Sequence, residues 1–417
     1  MSAALAASES GRASVTIIDD NPRLGGQIWR AEMGKTKSPD AKKLIDAIDA
    51  GRINVINNAQ IFAASGENSL LGETSTGTVE FKYEKLIIAT GARERLLPFP
   101  GWTLPGVFGA GGLQALVKGG LNIKDKRIVV AGTGALLLAV AEYLKLKGAT
   151  VIAIAEQAPA AKINTFALGL WRSPSKIAQA IVLRLKLLRT SYLTDCWVTK
   201  CGSPRVSKGL TQTLDDTRTS APGSQNKLSV TLNRKGKIWS LECDFLACGF
   251  HLVPNIEVAA MLGCKIQNGY VAVDEFQRTT CENIFCAGEP TGIGGVESSL
   301  VEGRIAGLAA SGDFVQARKY FRERDKTEAF GNALNRTFAL REELKALADD
   351  TTIVCRCEDV EYGRLIDFDS SRMAKLQTRC GMGACQGRVC GAATEFLFNW
   401  EPASVRPPIF PVKLENL

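Results

Sequence analysis

The sequence predicts an α/β protein: two Rossmann-like dinucleotide-binding units, the first without its opening strand and glycine loop, followed by a small helical module rich in cysteine. Three observations carry this. Apolar runs ending in an acid recur, Ala13 to Asp19 and Thr150 to Glu156, as in buried parallel strands whose last residue meets a ribose. A Gly132-Thr133-Gly134 turn joins strand to helix ahead of the second run. Five of the 12 cysteines fall between Cys355 and Cys390.

Length and composition set the class. A chain of 417 residues has room for two or three domains, and 45% hydrophobic with 23% charged residues suits a globular protein with real cores. The formal net charge is +8, but the basic residues are scattered and form no aromatic-rich stripe, which argues against nucleic acid; a mildly basic rim facing an acidic protein partner fits as well. Met1 to Arg12 has no basic segment followed by an apolar core, so it does not read as a signal peptide. The longest apolar run, Ile128 to Leu144, is broken by Gly132, Gly134 and Glu142 and is too short to span a bilayer. Twelve cysteines without a secretory signal point to a reducing compartment, read as the cytoplasm.

In chain order, residues 2–10 are Ala-rich and helical in preference, and Gly11 ends that helix. The strand to Asp19 follows. Helix, glycine, strand and acid make the second half of a βαβ unit; the first half does not precede Ser2, and the reading frame is expected to continue upstream of Met1. Gly25-Gly26-Gln27-Ile28-Trp29-Arg30 lets backbone approach a flat ligand, or is simply a turn after a strand. Lys85 to Ala89 is a buried strand running into Ala89-Thr90-Gly91, a pattern of flavoproteins with two dinucleotide domains, where the chain crosses between domains near the cofactor. Pro98, Pro100 and Pro105 mark the linker beyond it.

The second unit is complete. Arg127 to Ala131 is its first strand, Gly132 and Gly134 its turn, a helix runs to about Lys147 and is capped by Gly148, and Thr150 to Glu156 is the second strand. Leu137 replaces the third glycine of the fingerprint, so helix and strand are expected to pack less closely; Gly132, Gly134 and Glu156 remain candidates for NAD(P) or another nucleotide. Helical residues 177–188 precede a polar hairpin around Pro222-Gly223-Ser224. A strand through Cys243 to Gly249, a hairpin at Tyr270 to Asp274, and the segment Asn283 to Glu297 follow. The last combines strand, Gly288-Glu289 turn and a glycine-rich helix start suited to pyrophosphate or to negative charge on a flavin ring. Residues 311–350 read as two charged, solvated helices, and the proline-rich tail after Trp400 as an extended wrap over another surface.

The chemistry concentrates in Cys355-Arg356-Cys357 and Cys385-x4-Cys390, with Gly381 and Gly383 beside them. Paired thiolates with glycines that let the backbone curl suit a 2Fe–2S cluster; tetrahedral zinc competes, although its usual Cys-x2-Cys knuckles are absent. Cys380 reads as a small buried packing residue, as do Cys196, Cys201, Cys243, Cys248, Cys264, Cys281 and Cys286. No Cys-x-x-Cys exists, which disfavours disulfide-reductase chemistry. His251, the only histidine, offers no triad and reads as structural.

Taken together, Asp19, Gly25 to Arg30, Ala89-Thr90-Gly91, Gly132-x-Gly134, Gly288-Glu289 and Gly381 to Cys390 resemble the FAD-dependent pyridine nucleotide-disulfide-type oxidoreductases fused to a bacterioferritin-associated-ferredoxin-like domain, in particular the alpha subunits of opine oxidase, hydroxyproline dehydrogenase and hydrogen cyanide synthase. The resemblance covers nearly the whole chain. It implies an FAD domain in two parts (1–105 and 241–310), an NAD(P)-like domain (106–240), a helical linker (311–350) and a 2Fe–2S domain with its tail (351–417). It further implies that Asp19 holds the FAD ribose, that Gly25, Gly26 and Gln27 lie along the cofactor near Thr90 and Gly91, that Gly288 and Glu289 sit at ribitol and phosphates, and that Cys355, Cys357, Cys385 and Cys390 ligate the cluster. A chain of this type relays electrons from a separate substrate-oxidising flavoprotein subunit; a small ferredoxin-like subunit is a further partner. The chain departs from the pattern in its missing first strand, in Glu289 for an aspartate, and in a short Cys357–Cys385 interval. Two other functions stay open: a stand-alone NAD(P)H-dependent reductase, and a non-catalytic scaffold with an empty FAD site.

Overall fold

The computed structural model describes the chain except residues 10, 12, 33–37, 52, 170–173, 189, 204–226 and 402–403, and the side chains of residues 174, 175 and 180. The hairpin expected around Pro222 lies outside the described residues, as does Pro402 of the tail.

The chain opens with α1 (Ser2–Ser8), β1 (Val15–Ile18), α2 (Pro39–Ala50) and β2 (Ile53–Ile56). Ser38 caps α2 by accepting from the Ala41 N–H at 3.3 Å, and Pro39 fills the first helical position, where its missing N–H costs nothing. An antiparallel meander follows, β3 (Gln60–Gly66), β4 (Ser69–Thr74) and β5 (Gly77–Lys82), then β6 (Leu86–Ile88) and the crossing strand β7 (Ala92–Glu94). Next come β8 (Val107–Gly109), α3 (Ala110–Lys118), β9 (Arg127–Thr133), α4 (Ala135–Leu146), β10 (Thr150–Glu156), α5 (Ala160–Gly169), α6 (Pro174–Lys186) and β11 (Ser191–Leu193). After β12 (Cys196–Gly202), β13 (Leu228–Arg234) and β14 (Lys237–Cys243), β15 (Phe245–Phe250) and β16 (Leu252–Pro254) lead back to the first unit through α7 (Glu257–Met261). There the chain adds the small hairpin of β17 (Ile266–Gln267) and β18 (Tyr270–Val271), then β19 (Ile284–Cys286) and α8 (Gly295–Ala310). The linker holds α9 (Phe314–Arg318), α10 (Phe321–Thr337) and a 3-10 turn at Glu342–Ala346. The cysteine module comprises β20 (Ile353–Cys355), β21 (Val360–Glu361), α11 (Ser371–Thr378) and α12 (Cys390–Phe398).

The second unit is a parallel sheet in the order β11-β10-β9-β15-β8. One face carries α3 and α4; the other carries the β12–β14 meander, whose Cys196, Val198, Val230 and Leu232 meet Val129, Ala131 and Leu246. Burial on both faces explains why its strands are apolar throughout. The close packing that a third glycine would have given α4 is achieved differently. Leu137 is fully buried because Gly249 stands opposite, where a Cβ would come within 3.2 Å of the Leu137 side chain. Gly132 in turn packs against the Gly249 backbone so closely that any side chain there would collide with it.

The first unit is held differently. β1 pairs with β2 and β6 pairs with β19, both in parallel, but among the described residues the two ribbons share no hydrogen bonds. β1 is accordingly half-exposed, not the fully buried strand that the sequence predicts. α1 packs on α8 through small residues: a side chain at Gly307 would collide with the Ala3 carbonyl, and one at Gly303 would come within 3.3 Å of the Ala3 nitrogen. β7 and β16 pair antiparallel and form the two-stranded passage between the units. The tail does wrap over another surface: Ile409 donates its N–H to the Phe62 carbonyl (2.8 Å), and Asn416 and Lys413 bind Glu73 on the first meander.

Candidate cofactor and metal site

The cysteine module delivers its thiols by capping and by glycine. Ser370 caps α11 by accepting from the Met373 N–H, and Arg379, at φ 66, ends the helix in the left-handed conformation, presenting Cys380 directly beyond. Gly381 (φ 81) and Gly387 (φ 79) turn the chain back so that Cys390 opens α12 beside it. Gly383 admits no side chain, because one would collide with Cys357. Cys355, Cys380 and Cys390 are buried, with their sulfurs all within 4.8 Å of one another and Cys380 Sγ 4.0 Å from Cys390 Sγ. The Gly381 N–H points at Cys355 Sγ (3.5 Å). Cys357, exposed, and Cys385, half-buried, neighbour each other as an outer pair.

Thiol chemistry follows from this crowding. Hydrogen bonds from Cys380 and Cys390 hold the Cys355 thiol far below its ordinary range, and Cys390 and Cys380, bonded to Cys355, are pushed up, Cys380 to about 12. A metal–sulfur distance of about 2.3 Å in a tetrahedral site places ligand sulfurs about 3.8 Å apart, so this donor set fits a thiolate-bound metal centre. Of the residues expected here, Cys355 and Cys390 come together inside and Cys357 and Cys385 come together outside. Cys380 is buried as a packing residue would be, yet its sulfur belongs to the inner group. The remaining cysteines sit as packing residues do: burial pushes Cys196 up to about 11 and Cys201 and Cys243 to about 12.

On the flavin side, Asp19 follows β1 and accepts from the Asn21 N–H and side-chain amide, both at 2.9 Å. Gly25 (φ 119), Gly26 (φ 56), Gly91 (φ 69) and Gly288 (φ 84) all take conformations that favour glycine, and nothing stands within 4 Å of where a side chain at Gly26 or Gly91 would project. Gln27 is exposed and accepts from Arg30. Lys118 donates to the Ile28 carbonyl (3.3 Å) and Lys147 pairs with Glu32, so this loop is anchored on α3 and α4. Thr90 donates to the Asn255 carbonyl (2.5 Å). Glu289 accepts from the Gly295 N–H through Oε1, while its Oε2 is buried without a partner, and burial pushes the carboxyl up to about 7. An orphaned buried acceptor and open glycine backbone fit a cofactor rich in hydroxyl donors, as a flavin nucleotide is.

The two halves of the site are bridged by residues that the sequence did not single out. Arg93, just beyond Ala89-Thr90-Gly91, donates to the Arg388 carbonyl (3.2 Å) and to Asn255 Oδ1 (2.8 Å) and pairs with Glu257 at 2.9 Å. Arg388, between Cys385 and Cys390, donates to the Cys385 and Ile409 carbonyls and lies over the Phe410 ring. Arg95 donates to the Ala392 carbonyl at 3.0 Å. The only available signal was position: one arginine follows the crossing motif, and the other lies inside the cysteine motif.

The strand ends of the second unit are met by the linker, while its Gly134 turn faces open space. Ligands of open α/β sheets bind beyond the C-terminal ends of the strands. Here Thr133 donates to the Phe338 carbonyl (3.0 Å), Gln157 donates to the Ala339 carbonyl (3.0 Å) and accepts from the Arg341 N–H (3.1 Å), and Arg341 donates to the Gln157 carbonyl (3.1 Å). Glu156, expected at a ribose, is wholly buried and accepts instead from the Gly134 and Ala158 N–H groups, both at 2.8 Å; burial pushes it up to about 7. A cleft of about 940 Å³ between α5 and α10, lined by Phe166, Phe330, Lys162 and Lys326, lies at the linker, with no cysteine in its walls. His251 (φ 75) is half-buried, and burial lowers its basicity. No described helix is long and apolar enough to cross a membrane.

Comparison with known proteins agrees with this architecture. One opine oxidase subunit, from Agrobacterium tumefaciens (strain Ach5), is 30% identical across 100% of this chain and 89% of its own length. Hydrogen cyanide synthase subunit HcnB of Pseudomonas protegens is 30% identical across 94% of this chain and 87% of its own. Among solved structures, L-proline dehydrogenase from P. horikoshii superposes with a TM-score of 0.64 at 17% identity, covering 100% of this chain and 76% of that one. Thioredoxin reductase from T. acidophilum superposes with 0.54 at 20% identity, covering 75% of this chain and 94% of that one. The family model for pyridine nucleotide-disulphide oxidoreductases matches residues 1–170 and 204–305, and the chain belongs to that family.

Proposed function

We propose that this chain is the electron-transferring subunit of a heteromeric dehydrogenase acting on an amine or amino-acid-like donor. A partner flavoprotein subunit oxidises the donor, and this chain relays the electrons between FAD and a 2Fe–2S cluster. Asp19, Gly25, Gly26, Gln27, Thr90, Gly91, Gly288 and Glu289 would hold FAD, and Cys355, Cys357, Cys385 and Cys390 the cluster, one iron on the inner pair and one on the outer. A flavin supplies exchange of electrons in pairs or singly, and a cluster supplies their single passage.

The observation that carries the reading is the Arg93 bridge, which ties the Ala89–Gly91 crossing directly to the Cys385–Cys390 loop. Arg93 and Glu257 orient that loop, Arg388 clamps the tail over it, and the inner thiols exclude water. The linker packed on the strand ends of the second unit favours a source of electrons other than NAD(P)H. The test is an absorption spectrum of the chain purified without air, with iron, sulfide and flavin assays, followed by addition of NADH. Flavin, iron and sulfide together, with no bleaching by NADH, is the expected result. Bleaching by NADH would favour a stand-alone reductase, a colourless protein without flavin or iron a scaffold, and bound zinc in place of iron would remove the relay.

A further inference from the structure

We infer that Cys380 is a reserve ligand of the metal site, able to replace Cys355 or Cys390 on the inner metal but not the outer pair. The inference rests on the reading of the module as a 2Fe–2S site. That site needs four thiolates and the module brings five. The inner group is the crowded one. Cys380 Sγ lies 4.0 Å from Cys390 Sγ, close to the separation of about 3.8 Å of two thiolates on one tetrahedral ion, and the three inner sulfurs all lie within 4.8 Å of one another, so that a small side-chain shift brings any two to that separation. Two of them suffice for one iron, so one inner thiol is always left over.

Its position is built, not incidental. The left-handed Arg379 stops α11 immediately before it, and its own N–H donates to Thr378 Oγ1 at 3.2 Å. Val354, Val360, Leu365, Ala374 and Trp400 pack around the group. A residue needed only for volume has no reason to aim sulfur at sulfur; the rotamer that does so keeps a third sulfur inside the inner group. The exchange balances simply. The bond from Cys390 Sγ to the metal breaks as one from Cys380 Sγ forms, and the thiol proton of Cys380 passes to the released Cys390 thiolate. Charge and oxidation state are unchanged, and no further reagent is consumed.

The full chain, reconstituted without air with ferrous iron and sulfide, gives the test. Iron and sulfide content, visible absorption and the electron paramagnetic resonance of the reduced protein are measured, with circular dichroism as the check on folding. Cys390→Ala and Cys355→Ala are expected to keep the cluster with a shifted resonance, while Cys385→Ala and Cys357→Ala lose it. Adding Cys380→Ala to either inner variant is expected to abolish the cluster. The inference is overturned if the inner variants lose iron as fully as the outer ones, or if the double variants hold as much as the singles. Two independent inner variants guard against one that does not fold. A wild-type chain that takes up neither iron nor sulfide would instead sink the underlying cluster reading, and the inference with it.

Discussion

Arg93 shows how much one side chain can carry. It is about three-quarters buried, and its guanidinium satisfies a carboxylate, an amide oxygen and two carbonyls from two separate parts of the chain, Pro254 to Glu257 and Arg388. Replacing it with methionine keeps the stem but leaves Glu257 only its longer contact with Arg388 (4.0 Å) and frees the cysteine loop. We expect a loss of about 2 kcal/mol in stability and faster proteolysis within residues 380–390, with flavin content unchanged. Glu156 gives a pH effect. Its carboxyl titrates near 7 in the fold against about 4.5 in the unfolded chain, so between those values the native state holds a proton that the unfolded chain releases. Stability therefore falls as pH rises through that window, by up to about 3 kcal/mol from this group, and the full cost is felt above it. Glu156→Gln should flatten the difference in unfolding temperature between pH 5 and pH 8. Neither role was legible beforehand. An arginine after Gly91 and an acid at the end of β10 are visible in the sequence, but the sequence does not say that the first turns toward the Arg388 carbonyl or that the second turns inward to cap Gly134.

Among the elements, legibility followed local chemistry. β9, α4 and β10 lie where their apolar runs and glycines predict, because a strand buried on both faces has only one way to read. The compensation of Leu137 by Gly249 was hidden, since the two lie more than a hundred residues apart. The thiol pairing was hidden for the same reason: sequence spacing groups Cys355 with Cys357, whereas the fold pairs each with a cysteine from the later motif. The α1–α8 contact offers a direct test. Gly307→Val would drive a branched side chain into the Ala3 backbone, with an expected loss of about 3 kcal/mol, measured as a lower unfolding temperature and earlier cleavage after α1.

At the scale of the molecule, two dinucleotide units remain, and the linker packs on the strand ends of the second. The linker that the sequence presents as charged and solvated is partly that, yet its end, from Phe338 to Arg341, fills the mouth of the second sheet. No motif announces this, because three of the four contacts use backbone groups of the linker, two carbonyls and one N–H, that almost any residue could supply. On its own the chain is expected to show little turnover with amines or amino acids until its partner is added, measured with an artificial electron acceptor. Toward a nucleotide, that segment would act as a tethered competitor. Being covalently attached, it meets the crevice at an effective concentration on the order of millimolar, which a free nucleotide would have to outbid. A nucleotide that did so would lift the residues that run directly into β20 and Cys355. Occupancy of the second unit would then be felt as loosened amides across 337–346 in hydrogen exchange, and as a change in the distance that an electron must travel.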